Sequence, residues 1–217
     1  DPASGSNTSA SQNPSHTFSG SGNYTVTLTV TNAAGCTSTV QSNVTVNANP
    51  TITVNNAQIC EGQQAVISGP AGFSSYSWNT GSTQSSITVS PTVTTTYTLT
   101  VTDGNGCTAS DPATLTVNPL PVANAGNPQT ICEGQQATLN GGGGASYEWN
   151  PGALAGQSVN VTPTSTSTYT VTVTSGAGCT STASVTINVN QMPSVNAGDD
   201  LAICKGGSIT ITAVSPI

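Results

Sequence analysis

The chain of 217 residues repeats itself at a nearly constant interval. Its six cysteines form two interleaved series, Cys60, Cys132 and Cys204 in one and Cys36, Cys107 and Cys179 in the other, and the spacing within the two series is the same to within one position. The surrounding sequence repeats with them, since ICEGQQAVI begins at Ile59 and ICEGQQATL begins at Ile131. A fixed period is typical of an array in which each repeat is one structural unit. The chain is therefore predicted to be a row of small modules.

The module boundaries are predicted at three short connectors that contain proline. The connectors VNANP, VNPLP and VNQMP divide the chain into residues 1–49, 50–119, 120–191 and 192–217. Such connectors are stiff, because the proline ring restricts the backbone. The first segment corresponds to the C-terminal half of a module, and the last to the N-terminal part of one. We expect both to be completed by residues of a longer protein.

The full segments carry the alternation of apolar and polar residues that is typical of strands. Tyr169, Val171 and Val173 alternate with threonines, and a second alternating run follows a glycine-containing turn at residues 175–178. A period of two predicts a strand with one buried face, and two such runs around a turn predict a hairpin. Six or seven short strands are expected in each full segment. The predicted fold class is all-β, a tandem array of small antiparallel β-sandwiches.

The composition excludes several classes of function. Lys205 is the only Lys or Arg, against eight Asp or Glu, and small hydroxyl side chains dominate the sequence. Without a basic surface the chain cannot neutralise phosphates, which excludes nucleic-acid binding and attraction to anionic membranes. The apolar runs are only a few residues long, far below the roughly 20 that cross a bilayer, so no membrane insertion is expected.

Each full module is predicted to be stabilised by one disulfide bond between its two cysteines. A module of about 70 residues has a marginal core, and a disulfide is a common remedy. One cysteine lies near the start of each module and the other opens the last strand, so bridges Cys60 to Cys107 and Cys132 to Cys179 are expected, in an oxidising compartment. Pairing across a connector, such as Cys107 to Cys132, is the alternative. Cys36 and Cys204 are expected to be unpaired within this window, with partners in a longer chain or in a neighbouring molecule.

The remaining candidate residues favour no catalytic, cofactor or metal site. His16 is the sole imidazole, so neither a Ser-His-Asp triad nor a two-histidine metal site is expected within the chain. Glu61 and Glu133 occupy a repeat position that Lys205 fills in the third copy, which indicates an exposed turn. The run from Asp103 to Gly106 is similar to part of a calcium loop, but its repeat equivalents differ and a hairpin turn explains all of them.

Two stretches resemble known families. The sequence NPSHTFSGSGNYTVTLTVTN, from Asn13 to Asn32, resembles the second half of a PKD domain. The stretch from Ile131 to Val189, with ICEGQQATL, SYEWNP and TYTVTVT, resembles the Ig-like repeats of very large secreted surface proteins of Bacteroidota, including gliding-motility-associated adhesins and other type IX secretion substrates. The resemblance implies an Ig-like or PKD-like β-sandwich, export to the cell surface, and a stalk or adhesive role.

These observations predict a non-catalytic stalk or fibre segment of an extracellular bacterial surface adhesin. Its expected partners are the neighbouring modules of its own chain, with surface polysaccharide and like chains in a fibre as further candidates. One alternative is a spacer or carbohydrate-binding portion of a secreted polysaccharide-degrading enzyme. Another is a self-assembling extracellular filament subunit whose partial modules are completed between neighbouring chains.

Overall fold

The computed structural model describes residues 7–195 and 200–210, and its regular elements there are all β-strands. In chain order these are β1 (Gly22–Thr31), β2 (Thr37–Val46), β3 (Ala57–Cys60), β4 (Ala65–Ser68), β5 (Ser75–Trp78), β6 (Ser86–Val89), β7 (Thr95–Thr102), β8 (Thr108–Asn118), β9 (Gln129–Cys132), β10 (Ala137–Asn140), β11 (Ser146–Asn150), β12 (Leu154–Ala155), β13 (Ser158–Val161), β14 (Ser167–Thr174) and β15 (Thr180–Asn190). The all-β prediction is confirmed. None of the described residues forms a helix with the length and apolar character needed to cross a membrane.

The chain divides into two compact units, Asp1–Val117 and Asn118–Ile217. Strands β3 to β8 enclose one hydrophobic core and strands β9 to β15 enclose another. These two bodies are called the first sandwich and the second sandwich below. The finer division into four segments at residues 49, 119 and 191 stays a prediction.

The first sandwich packs a four-stranded sheet, in the order β3-β8-β7-β5, against the two-stranded sheet β4-β6. In β7 the side chains of Tyr97, Leu99 and Val101 are buried, and the threonines between them are only partly covered. Trp78 from β5 and Ile67 from the opposite sheet join the same core. Burial of one large apolar side chain stabilises a fold by roughly 1.5–3 kcal/mol, so this alternation is what holds the two sheets together.

The second sandwich repeats this plan with a five-stranded sheet, β12-β11-β14-β15-β9, and the two-stranded sheet β10-β13. Trp149, Val171 and Ile187 have no measurable exposure and form the centre of its core. The pairs β11-β14 and β14-β15 are antiparallel, whereas β9 runs parallel to β15. Both sandwiches are Ig-like, and they follow each other in the chain as a tandem pair.

The hairpin of β1 and β2 carries one apolar and one polar face. Gly22 pairs with Val46 at one end, and Thr31 pairs with Thr37 at the other. The polar face is tied across the strands, for example by a hydrogen bond from Thr25 Oγ1 to Asn43 Oδ1 of 3.0 Å. On the apolar face Leu28 is 56% exposed, although its repeat equivalent Leu99 is fully buried in the first sandwich. The hairpin thus has the pattern of a sandwich strand pair without the opposing sheet among the described residues.

Candidate functional site

The cysteines are the reactive side chains that the repeat places most regularly, and all six lie within the described residues. Cys60 and Cys179 are disulfide-bonded. The other four are free thiols, exposed at Cys36, Cys132 and Cys204 and partly buried at Cys107. The half-cystine Cys179 is itself almost fully buried.

The structure corrects the predicted bridges from Cys60 to Cys107 and from Cys132 to Cys179. The two segments do lie side by side in the second sandwich, but they run parallel, so that Cys132 is opposite Asn190 at the end of β15. Cys179 immediately precedes Thr180, the first residue of that strand. At about 3.3 Å per residue, β15 separates the two cysteines by about 35 Å. A disulfide needs Cα atoms within about 7 Å of each other, so the bridge within the sandwich cannot form.

The same reasoning applies to the first sandwich, where Cys107 is a free thiol. Strand β3 ends at Cys60 and lies next to β8, which starts one residue after Cys107. The start of β3 lies beside the middle of β8, as shown by the hydrogen bond of 2.7 Å that the backbone amide of Thr114 donates to Asn56 Oδ1. The prediction identified the neighbouring strands correctly, and it failed because it did not specify their direction.

Each cysteine of the Cys60 series opens a tight turn. In the first copy the amide of Gln63 donates to the Cys60 carbonyl at 3.0 Å, and Gly62 has a φ of 83°. A positive φ at the third position of the turn favours glycine. Glu61 and Lys205 occupy the second turn position in their copies and are exposed, as predicted for this position, whereas Glu133 at the same position of the second sandwich is partly buried. The carboxylates of Glu61 and Glu133 therefore belong to turns of separate sandwiches.

Each cysteine of the Cys107 series closes a hairpin loop that is capped by a polar side chain. Asp103 Oδ1 accepts hydrogen bonds from the amides of Asn105 and Cys107 at 2.8 and 2.9 Å. Asn32 Oδ1 has the same role in the first loop, and Ser175 Oγ accepts one bond of 3.2 Å from the Cys179 amide in the third. The Asp103 carboxylate is thus a structural acceptor, and the hairpin interpretation of the run from Asp103 to Gly106 accounts for it.

Asp111 is a structural carboxylate that the sequence pattern did not reveal. Its Oδ2 accepts a hydrogen bond of 2.8 Å from the backbone amide of Val54. The equivalent residue in the second sandwich is Ala183, and there the amide of Gly126 is satisfied by Asn124 Oδ1 at 2.8 Å. The sequence contained one indication of this role, a carboxylate within a strand of alternating apolar and polar residues. A carboxylate that faces inward or lies at a sheet edge requires a hydrogen-bond donor.

The remaining polar features of the described residues are an aromatic stack and two depressions of the surface. The ring of His16 packs edge-on against Phe18 at 4.7 Å, and Phe18 packs against Tyr24. Two shallow depressions lack ionisable side chains, one lined by Asn56, Ala57, Gln58 and Thr116 and the other by Phe18, Ser19, Gly20, Ser21, Val46, Asn47, Ala48 and Asn49. Within residues 7–195 and 200–210, no three His, Cys, Asp or Glu side chains are grouped so that they could hold a metal ion.

Comparison with known proteins gives one family match, to a part of the chain. Residues 4–46 match the PKD domain family. The match covers about a fifth of the chain and includes strands β1 and β2. No curated protein matches the chain.

Several solved structures are similar to the chain at low sequence identity. A Ca²⁺-stabilised adhesin with which an Antarctic bacterium binds ice is 16% identical over 81% of this chain and 60% of that one, with a TM-score of 0.39. The two-Ig structure of DIP-gamma is 12% identical over 65% of this chain and 98% of that one, with a TM-score of 0.34. The first eight Ig domains of DSCAM are 18% identical over 81% of this chain and 28% of that one, also with a TM-score of 0.34. Superpositions at these scores carry no information about a ligand or partner.

Proposed function

We propose that this chain is a non-catalytic stalk or fibre segment of an extracellular bacterial surface adhesin. The observation that carries the proposal is a contrast between the two sandwiches. Residues that recur from one to the other form the core and the turns, whereas charged residues other than Glu61 and Glu133 change. A scaffold needs only that the core and turn residues recur. A binding or catalytic site repeated in each module would need its polar surface residues to recur as well.

The recurrent residues have the same structural role in both sandwiches. Trp78 and Trp149 are buried, and each indole Nε1 donates to a backbone carbonyl, that of Gln84 at 2.9 Å and that of Gly156 at 3.1 Å. Tryptophan usually finds such a partner when it is buried. Two modules with the same internal architecture can be stacked as units, since each one closes its own core.

Most of the charged groups do not recur in this way. The turn position occupied by Glu61 holds Glu133 in the second sandwich and Lys205 in the third copy, and the loop position of Asp103 holds Ser175. Asp111 corresponds to Ala183. Because the charged residues at these positions are not present in every module, repeating the module would not add copies of a charged site. We therefore expect that the repeat makes the protein longer and stiffer.

The sheet surfaces suit a long extracellular structure. Hydroxyl side chains pair across neighbouring strands, with 3.4 Å between Thr96 Oγ1 and Thr114 Oγ1 and 3.2 Å between Thr168 Oγ1 and Thr186 Oγ1. Such faces remain hydrated, and a chain with one basic residue offers little attraction between neighbouring stalks. The disulfide-bonded state of Cys60 and Cys179 supports an oxidising location outside the cytoplasm.

The stalk is favoured over a carbohydrate-binding portion of a secreted enzyme. Binding of sugars commonly uses exposed aromatic platforms, whereas Trp78 and Trp149 are both core residues here. The resemblance of Ile131–Val189 to repeats of large Bacteroidota surface proteins supports the finer assignment to a gliding-motility-associated adhesin that is exported by the type IX route. In that setting a distal domain would bind the ligand, and these modules would hold it away from the cell.

Labelling of intact cells tests this assignment. Antibodies raised against residues 50–191 should bind living cells of the source organism, and externally added protease should remove the signal. Permeabilised cells and a strain lacking the gene serve as controls. Labelling that requires permeabilisation would contradict the proposal, and so would glycan hydrolysis by the purified chain.

A further inference from the structure

We propose that Asn105 of the first sandwich is a site of self-modification, at which the side-chain amide is lost as ammonia and replaced by a carboxylate. Asn105 and Gly106 lie in the hairpin loop between β7 and β8. In an Asn-Gly pair the backbone nitrogen of the glycine can attack the side-chain carbonyl of the asparagine, since glycine has no side chain that shields this nitrogen. The proposal concerns the first sandwich alone and is independent of the stalk assignment.

The reaction needs only water as a co-reactant. The backbone nitrogen of Gly106 loses its proton and forms a bond to Cγ of Asn105, and the side-chain nitrogen leaves as ammonia, so that a succinimide ring closes. Water then adds to one of the two carbonyl carbons of the ring and opens it. The product is aspartate, or isoaspartate in which the backbone runs through the former side chain. No oxidant or reductant is consumed.

The attacking amide of Gly106 is weakly held. It donates to the Asp103 carbonyl oxygen at 3.3 Å, beyond the usual range for a backbone hydrogen bond. The corresponding amides of Gly35 and Gly178 donate at 3.0 Å in their own loops. A Cβ built on Gly106 would meet nothing within 4 Å, so the space beside this residue is open to ring closure and to water.

The side chain of Asn105 is free to take part. Asn105 is exposed, and its hydrogen bond within the described part of the chain is made by its backbone amide, to Asp103 Oδ1. Alanine holds the same position in the other two loops, as Ala34 and Ala177. The turn therefore does not need the amide group of Asn105.

A second Asn-Gly pair, Asn140-Gly141 in the second sandwich, is protected by its surroundings. Gly141 is buried, and its amide donates to the Gln157 carbonyl oxygen at 2.7 Å. A Cβ built on Gly141 would lie 2.7 Å from Cδ1 of Tyr147, so this peptide has no room to turn toward the Asn140 side chain. Ring closure at this pair requires the strand end to open first.

The modification changes the loop that closes the hairpin. Asp103 Oδ1 accepts hydrogen bonds from the amides of Asn105 and Cys107 at 2.8 and 2.9 Å. Isoaspartate at position 105 inserts a further carbon atom into the backbone between these two amides, and it places a second carboxylate near that of Asp103. The pair of hydrogen bonds is therefore expected to be disturbed, and the loop becomes more negative. A long-lived protein would accumulate this change with age.

Mass mapping tests the proposal on the purified 217-residue chain. The folded protein is incubated at neutral and at mildly alkaline pH, and is then reduced and digested with pepsin in acid, where the reaction is slow. Conversion at Asn105 is expected to be at least about tenfold faster than at Asn140, because the well-formed hydrogen bond of Gly141 adds to the barrier there. The conversion should accelerate with pH, since the attacking nitrogen must lose its proton.

Two controls separate the effect of the fold from that of the local sequence. In denaturant the two asparagines should convert at similar rates, because each is then followed by an unprotected glycine amide. Asn105→Ala should give a folded protein in which the peptide around residues 103–107 gains no mass. A folded protein in which Asn105 stays intact, or in which Asn140 converts equally fast, would overturn the proposal. Neither result changes the labelling of intact cells, so the stalk assignment is tested separately.

Discussion

The carboxylate of Asp111 accepts a hydrogen bond from the backbone amide of Val54 at 2.8 Å, and so ties the segment before β3 to strand β8. Val54 is itself buried in the first core. In the second sandwich the equivalent amide, that of Gly126, is satisfied locally by Asn124. Two copies of one fold therefore satisfy the same backbone donor with different side chains. In the first sandwich the donor belongs to a buried residue, whose amide must have an acceptor, and in the second it belongs to an exposed one.

Replacing Asp111 should destabilise the first sandwich. Asp111→Ala removes the acceptor and leaves the Val54 amide without its partner, which should lower the free energy of unfolding by about 1.5–3 kcal/mol. Thr108→Ala, at an exposed position of the same strand, is the matched control and should change it by less than about 0.5 kcal/mol. Urea unfolding followed by tryptophan fluorescence measures both. Equal midpoints for the two variants would show that the hydrogen bond contributes nothing.

Gly143 should tolerate no side chain. It has a φ of 98°, and a Cβ built there would lie 1.8 Å from the carbonyl oxygen of Val122. Gly143→Ala must therefore displace the backbone, and the expected cost is at least about 2 kcal/mol of unfolding free energy. Gly176→Ala is the control, since a Cβ there meets nothing within 4 Å. Thermal unfolding of the two variants provides the comparison, and a Gly143→Ala protein as stable as the control would refute this close approach.

The stability lost on replacing the capping side chain of a hairpin loop should increase with the number of hydrogen bonds that this side chain accepts. Asp103→Ala removes two bonds to backbone amides, whereas Ser175→Ala removes one longer bond. The first variant should lose about 1–3 kcal/mol and the second about 1 kcal/mol or less. Asp103→Asn keeps an acceptor oxygen and should recover most of the loss. A calcium-dependent melting temperature that Asp103→Asn abolishes would instead indicate a metal role for this loop.

Val173 should contribute to stability far more than an exposed valine of the same unit. It has no measurable exposure in the second core, while Val122 is 84% exposed. Val173→Ala removes two buried carbon atoms and leaves a cavity, for an expected loss of about 2 kcal/mol. Val122→Ala should be nearly neutral. Chemical denaturation measures the difference, and similar losses in both variants would mean that the core is misassigned.

Sequence patterns were sufficient for the strands and for the composition of the two cores. The alternation of Tyr169, Val171 and Val173 with threonines appears as β14, with those three residues buried. This succeeded because a period of two and burial of one face follow from strand geometry alone. The turn at residues 175–178 could also be predicted from the sequence, because the need for glycine in a tight turn depends only on neighbouring residues.

Features that depend on strand direction or on contacts between distant residues could not be predicted from the sequence. The spacing of Cys132 and Cys179 is the same for parallel and antiparallel neighbours, so it could not show that the cysteines lie at opposite ends of β15. The acceptor role of Asp111 depends on a partner 57 residues away. The close approach of Gly143 to Val122 likewise arises only when the chain has folded. Each of these is a consequence of tertiary pairing rather than of local propensity.

The length of the surface structure tests the stalk most directly. Four additional copies of residues 120–191 would be inserted in frame in the source organism, and surface fibres would be measured by electron microscopy. With a module about 35 Å long, from the 11 residues of β15, the stalk account predicts fibres longer by about 140 Å. Adhesion per displayed molecule should be retained. Fibres of unchanged length on cells that display the enlarged protein normally would contradict the account.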